Sequence, residues 1–126
     1  MEGYKVKIVE TSREMSAREK IKIKDFSNAI QLDEASQADD NLIISVAAYA
    51  VCEVHNERSD NKDYRKYVIV DADGKKYVTG SESFFTSLRD IMEELEDAGE
   101  TDCTIEVYRK DSKNYKGKQF LTCSIM

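Results

Sequence analysis

The chain has 126 residues, of which 40% are hydrophobic and 35% charged, and its formal net charge at pH 7 is −6. This length and composition suit one domain over residues 1–126, and the recurring aliphatic segments exclude a disordered chain. A surplus of negative charge, taken alone, argues against a polyanionic partner such as nucleic acid. No apolar segment approaches the roughly 18 residues of a membrane span, so we expect a cytoplasmic protein without membrane contact.

The N-terminal region shows the alternation of apolar and polar residues that is typical of strands. Residues 4–9 form the first such segment, and residues 20–26 the second. In the second segment the pattern directs Ile21 and Ile23 inward. The residues on its opposite face are Lys20, Lys22, Lys24 and Phe26.

Residues 27–41 are polar and acidic and predict a loop, with one short strand around Ile30 and Leu32. Residues 42–55 are the longest apolar segment, and their many β-branched side chains favour one long strand over a helix. Strict alternation places Tyr49 on the less apolar face of that strand. The opposite face then holds Val46, Ala48, Ala50, Cys52 and Val54.

The C-terminal half predicts a hairpin, a helix and a second hairpin. Strands over 64–71 and 75–79 flank an Asp73-Gly74 turn. Ser81 or Ser83 caps a helix over about 82–98, with apolar residues at spacings of three and four, and strands follow over 103–109 and 118–126. One helix among antiparallel strands predicts a mainly β or α+β fold, a small antiparallel barrel with one inserted helix.

The negative charge is concentrated in the helical segment. Residues 82–102 carry one arginine and eight acidic residues, which leaves 18 basic and 17 acidic residues in the rest of the chain. Three interpretations of this acidic helix stay open. It provides solubility, it orients a basic face toward a polyanion, or it docks a basic protein.

The same alternation directs five aromatic residues away from the core face of their strands. Bases stack on such side chains without sequence readout, and lysines neutralise phosphates. Tyr115 belongs with them, because it lies in a lysine-rich segment between the last two strands. The outward aromatic residues are Phe26, Tyr49, Tyr77, Tyr108 and Phe120. The predicted single-stranded-DNA contacts are Lys22, Lys24, Tyr49, Tyr77, Tyr108, Lys113, Tyr115, Lys116, Lys118 and Phe120.

No pattern in the chain predicts catalysis. The only histidine, His55, has no nucleophile partner in sequence, and no glycine-rich phosphate loop occurs. The three cysteines are widely spaced, so we expect buried free thiols and neither a disulfide nor a metal site. We therefore expect a protein that is not an enzyme and that needs no cofactor.

Four segments in a fixed order resemble the small single-stranded-DNA-binding proteins that tailed phages, including protein-primed ones, use in replication. The resemblance covers residues 42–126. It implies an OB-like barrel, sequence-tolerant DNA binding and a location in the host cytoplasm. Among the predicted contacts it favours Tyr77, Tyr108, Lys113, Tyr115, Lys116, Lys118 and Phe120. The segments are Tyr67-Val-Ile-Val-Asp-Ala-Asp-Gly-Lys-Lys-Tyr77, Thr79-Gly-Ser81, Thr104-Ile-Glu-Val-Tyr108 and Ser112-Lys-Asn-Tyr-Lys-Gly-Lys-Gln-Phe120-Leu-Thr-Cys-Ser-Ile125.

The main prediction is thus a phage protein that protects single-stranded DNA during replication. An alternative is a protein-interaction module, in which the exposed aromatic residues form a homodimer or host-factor interface and the acidic helix meets a basic partner. A regulatory protein or host-defence antagonist on the same scaffold is a third interpretation. A homodimer, and replication proteins bound through the acidic helix, remain open as partners.

Overall fold

The computed structural model describes residues 3–38, 42–111 and 119–126. Within these ranges the chain forms seven strands, three α-helices and one 3-10 turn. The elements in order are β1 (Tyr4–Thr11), α1 (Ala17–Lys24), the 3-10 turn (Phe26–Asn28), β2 (Ile30–Gln31), α2 (Leu32–Ala38), β3 (Leu42–Asn56), β4 (Asp63–Asp71), β5 (Lys76–Thr79), α3 (Glu82–Asp97), β6 (Thr104–Asp111) and β7 (Gln119–Ile125).

The strands form one curled sheet, a half-barrel, in the order β2-β5-β4-β3-β6-β7. The long strand β3 organises it, because its C-terminal part pairs with both β1 and β4 while residues 42–45 pair with β6. All pairings are antiparallel except the short parallel contact of β2 with β5. The predicted small OB-like fold of mainly β or α+β type is confirmed.

A bulge in β3 exchanges the two faces of the strand. The register with β4 shifts between Val46 and Ala48, so Ile44 and Val46 share a face with Tyr49 instead of with Ala48. The prediction is therefore wrong for Val46, which does not share the face of Ala48, Ala50, Cys52 and Val54. Strict alternation cannot anticipate the extra residue that a bulge inserts.

Both faces of the sheet are covered, which gives two cores. The inner core lies in the concave side of the half-barrel under α3, and the outer core lies under α1. The inner core consists of Leu32, Ile44, Val46, Tyr49, Val51, Tyr67, Ile69, Tyr77, Phe84, Phe85, Leu88, Cys103, Ile105, Val107, Leu121 and Cys123. The outer core consists of Val6, Met15, Ile23, Ala48, Ala50, Cys52, Val54, Val68 and Val78.

The predicted strand over 20–26 is wrong, because this segment belongs to helix α1. Ser16 and Glu19 form a capping box, in which the Ser16 side chain accepts from the Glu19 N–H and the Glu19 carboxylate accepts from the Ser16 N–H. This box starts the helix and overrides the alternation that follows it. Ile23 is buried at 3% exposure, whereas Ile21, also predicted to face inward, is 68% exposed.

The segment 27–41, predicted as a loop, is partly helical. The short strand expected around Ile30 is confirmed as β2, but Leu32 begins helix α2 and is fully buried in the inner core. The fold therefore has three α-helices among its described residues and not the single predicted one. The helix that was predicted is confirmed as α3.

The C-terminal half follows the predicted order. Gly74 has a φ of 88° in the turn between β4 and β5, and the Asp71 carboxylate accepts from the N–H groups of Asp73 and Lys75. Helix α3 begins after Ser81, whose side chain accepts from the Phe84 N–H. The hairpin of β6 and β7 is also as predicted.

Helix α3 contacts β7, at one end of the sheet, and β1, which pairs with β3. Its Ser83 hydroxyl donates to the Leu121 carbonyl of β7 at 2.8 Å, and its Arg89 pairs with Glu10 of β1 at 2.6 Å. Phe84, Phe85 and Leu88 from the same helix are buried in the inner core. The helix thus covers the concave side of the sheet, and its Ser87 hydroxyl also lies 3.1 Å from the hydroxyl of the buried Thr122 on β7.

Candidate nucleic-acid interface

The outer face of the β6–β7 hairpin carries two of the predicted aromatic residues. Tyr108 pairs with Thr122 and Lys110 pairs with Phe120, so Tyr108 and Phe120 are diagonal neighbours on one face. Tyr108 is half-buried, and Phe120 is 37% exposed. The predicted outward position of both side chains is confirmed.

Alternation along the two strands produces this arrangement. Four alternating residues of the hairpin are buried in the inner core, namely Ile105 and Val107 of β6 and Leu121 and Cys123 of β7. Their neighbours in sequence must point to the opposite face. Ile125 continues the same alternation but is 48% exposed, because it lies at the very end of the sheet, opposite Ile105.

The hydrogen bonds of the hairpin orient its polar groups. The Tyr108 hydroxyl lies 2.6 Å from the Ser124 hydroxyl, which holds the ring across the hairpin. Arg109 points the other way and donates to the Asp33 carbonyl at 3.1 Å. Lys110 is therefore the cation of β6 that accompanies Phe120 on the outer face.

Tyr49 and Tyr77 do not belong to this face, and their predicted exposure is wrong. Each is 7% exposed and lies in the inner core. The Tyr49 ring packs edge-on against Phe85 at 5.1 Å, and its hydroxyl donates to Glu10 at 3.1 Å. Burial and this carboxylate raise the pKa of Tyr49. Alternation gave the wrong exposure because β3 and β5 are covered on both faces.

The change from strand to helix also separates the predicted lysines. Lys24 lies with Lys20 beside β1, where an open groove of about 640 Å³ follows the strand. Lys22 lies on another side of α1, in a cavity next to the β4–β5 turn, where the Lys76 ammonium donates to the Lys22 carbonyl. Phe26, predicted to be outward, is half-buried against the outer core.

The remaining predicted contacts lie outside the described residues. They are Lys113, Tyr115, Lys116 and Lys118. The hairpin is described up to the pair of Asp111 and Gln119, where the Gln119 amide donates to the Asp111 carboxylate at 3.2 Å.

Comparison with known proteins identifies the family of the chain. The family model described as phage single-stranded DNA-binding protein matches residues 4–126. The chain belongs to this family. The match extends the resemblance, which covered residues 42–126, to the N-terminal strand and helix α1. No curated protein and no solved structure matched the chain.

As a member of this family, the chain is a single-stranded-DNA-binding protein, and the partner predicted from its aromatic residues and lysines is confirmed. In the residues that the structure describes, no helix is long and apolar enough to cross a membrane.

The acidic side chains at the end of α3 are exposed. They are Glu93, Glu94, Glu96 and Asp97.

The cysteine thiols of this DNA-binding protein are buried in its two cores. All three cysteines are free and buried, as predicted, and burial raises the pKa of Cys52 to about 11 and that of Cys123 to about 12. Thiols with such pKa values are poor nucleophiles at neutral pH. Within the described ranges, no group of three or more side chains is arranged to hold a metal ion.

His55, the one histidine, lies between two carboxylates at the end of β3. Its Nδ1 is 2.7 Å from Asp63, and its Nε2 is 2.6 Å from Glu57. Hydrogen bonds to Asp63 and Glu57 raise the pKa of His55, and the bond to His55 lowers the pKa of Glu57. These contacts join the two ends of the β3–β4 loop, and we call His55, Glu57 and Asp63 the clamp.

Proposed function

We propose that this protein binds single-stranded DNA without sequence preference, protects it during phage replication, and uses the outer face of the β6–β7 hairpin to stack bases. One observation carries the proposal: Tyr108 and Phe120 are outward neighbours on this face, with Lys110 directly opposite Phe120. An aromatic pair beside a cation is the combination that sequence-tolerant binding needs.

The physical argument rests on what each side chain offers. A base that stacks on an aromatic ring contributes about 1–3 kcal/mol, whichever base it is. Lys110 is exposed, so its ammonium can approach a phosphate that follows the stacked base. Contacts by Lys113, Tyr115, Lys116 and Lys118, which lie outside the described residues, stay a prediction.

The first test is the substitution Phe120→Ala. Loss of one stacked base should raise the Kd for a labelled dT oligonucleotide of about 30 nucleotides by roughly 5- to 150-fold. Fluorescence anisotropy measures the Kd, and thermal unfolding measures stability. Because Phe120 is partly exposed, we expect the protein to stay folded.

The matched control is Tyr49→Phe, which removes a hydroxyl from a buried aromatic residue and leaves the hairpin unchanged. This variant should bind the oligonucleotide as the original protein does. An unchanged Kd for Phe120→Ala would contradict the proposed face, as would equal weakening by Phe120→Ala and Tyr49→Phe.

A further inference from the structure

A groove lies between strand β1 and helix α1, on a part of the surface that the β6–β7 hairpin does not include. We call it the β1–α1 groove. Among the described residues β1 pairs with β3 alone, so its second edge is open to the groove. The groove has a volume of about 640 Å³. Its lining residues are Lys5, Val6, Lys7, Ile8, Val9, Glu10, Thr11, Lys20 and Lys24.

The groove is strongly basic, since four lysines line it against one carboxylate. That carboxylate belongs to Glu10, which is already paired with Arg89 at 2.6 Å and accepts from the Tyr49 hydroxyl at 3.1 Å. In the described parts of the chain, none of the four lysines forms an ion pair. The positive charge of the groove is therefore available to a ligand.

The spacing of the lysines suits a repeating anionic chain. Lys5 and Lys7 are two residues apart on a strand, which separates them by about 7 Å. Lys20 and Lys24 are four residues apart on a helix, which separates them by about 6 Å along its axis. Both separations are close to the phosphate repeat of an extended nucleotide strand. Lys20 and Lys24 lie on the α1 side of the open edge of β1, whereas Lys5 and Lys7 alternate with the buried Val6 and lie on the opposite face of the strand, where Lys7 is in register with Glu53.

The groove and the hairpin face are connected along the same edge of β3. Strand β1 pairs with residues 50–56 of β3, and β6 pairs with residues 42–45, so the two strands follow one another along that edge. Helix α1 covers the outer face of the sheet, and Tyr108 and Phe120 lie on the outer face of the hairpin. One DNA strand can therefore pass from the hairpin to the groove.

We propose that the β1–α1 groove binds the sugar-phosphate backbone of the single-stranded DNA through Lys5, Lys7, Lys20 and Lys24. This inference rests on the single-stranded-DNA-binding function and adds a second contact region to the hairpin face. The groove supplies charge, and the hairpin supplies stacking. The two regions therefore differ in how their contributions depend on salt.

The experiment compares the double variant Lys20→Ala/Lys24→Ala with the original protein on the dT oligonucleotide between about 50 and 200 mM salt. The slope of log K against log salt is negative, and each lost phosphate contact reduces its magnitude by about 0.7, so the magnitude should fall by about 1.4. The Kd at low salt should rise on the order of tenfold. Both lysines are exposed on a helix, so alanine should preserve folding.

The matched control is Lys62→Ala/Lys75→Ala, which removes the same charge from exposed positions outside the groove. We expect this control to keep the slope of the original protein. A second variant, Lys5→Gln/Lys7→Gln, tests the lysines of β1. It should again reduce the magnitude of the slope of log K against log salt by about 1.4.

The outcomes separate the groove from the proposed function. If the original protein binds and Lys20→Ala/Lys24→Ala keeps its slope, the groove proposal is overturned while the DNA-binding function stands. An equal reduction in the Lys62→Ala/Lys75→Ala control indicates a diffuse effect of charge and also overturns it. If the original protein does not bind dT, both proposals fail together.

Discussion

Tyr108, Phe120 and Tyr49 show how the surroundings of an aromatic residue decide its role. All three lie on strands of one sheet, yet only the first two reach solvent, because β3 is covered on both faces. The sequence correctly predicted the outward direction of Tyr108 and Phe120 from the core residues beside them. It failed for Tyr49 because alternation reports the two faces of a strand but not what covers each face.

His55 provides a residue-scale prediction for stability against pH. The raised pKa of His55 means that its stabilising contribution is present below its unfolded value of about 6.5 and is lost as the pH rises through the folded pKa. Glu57, whose pKa is lowered, contributes above about 4.5 and loses its contribution as the pH falls. The clamp should therefore stabilise the β3–β4 loop most at mildly acidic pH.

Urea denaturation at pH 5.5 and pH 8 measures the effect. The free energy of unfolding of the original protein should fall relative to that of His55→Gln as the pH rises between these values. The substitution keeps a polar side chain but cannot become charged. Parallel pH profiles for the two proteins would contradict the role of the clamp.

At the scale of elements, two sequence patterns compete in α1: a capping box that starts a helix and an alternation that is typical of a strand. Ser16 and Glu19 have the spacing of a capping box, a helix-start signal that overrides the alternation of lysines and isoleucines after it. The helix changes which lysines act together. A strand would place Lys20, Lys22 and Lys24 on one face, whereas the helix keeps Lys20 beside Lys24 and moves Lys22 to another side.

Two alanine substitutions in α1 distinguish the helix from the strand. Ile23→Ala should lower the free energy of unfolding by about 2–5 kcal/mol, because Ile23 is buried in the outer core. Ile21→Ala should change it by less than about 0.5 kcal/mol, because Ile21 is exposed. Urea denaturation measures both. Equal losses in the two variants would restore the strand prediction and refute the helix.

At the scale of the whole molecule, α3 combines two properties that the sequence showed separately. Its apolar side completes the inner core, and its last turns carry the exposed acidic residues that dominate the net charge. The net charge of −6 therefore describes one helix and not the surface that we propose for DNA. The β1–α1 groove, with its four lysines, shows how locally basic an acidic protein can be.

The substitution Leu88→Ala tests the contribution of α3 to the half-barrel. Leu88 is fully buried between the helix and the sheet, so its loss should reduce the free energy of unfolding by about 2–5 kcal/mol. Leu95→Ala, one position on the same helix that is only half-buried, should have a smaller effect. Thermal and urea unfolding measure both. A loss at Leu95 as large as that at Leu88 would show that the helix is anchored differently.

The sequence by itself determined the order of strands from β3 to β7, the bounds of α3 and the single-stranded-DNA partner. The strands and the helix depend on local signals, namely the Asp73-Gly74 turn, the Ser81 cap and alternation along the C-terminal hairpin. The partner was predicted from the family resemblance and from outward aromatic residues beside lysines. Only the tertiary structure decided that Tyr49 and Tyr77 are buried and that four lysines meet beside β1. Both depend on which elements pack together, because coverage of a sheet and convergence of distant side chains are not written in any one segment.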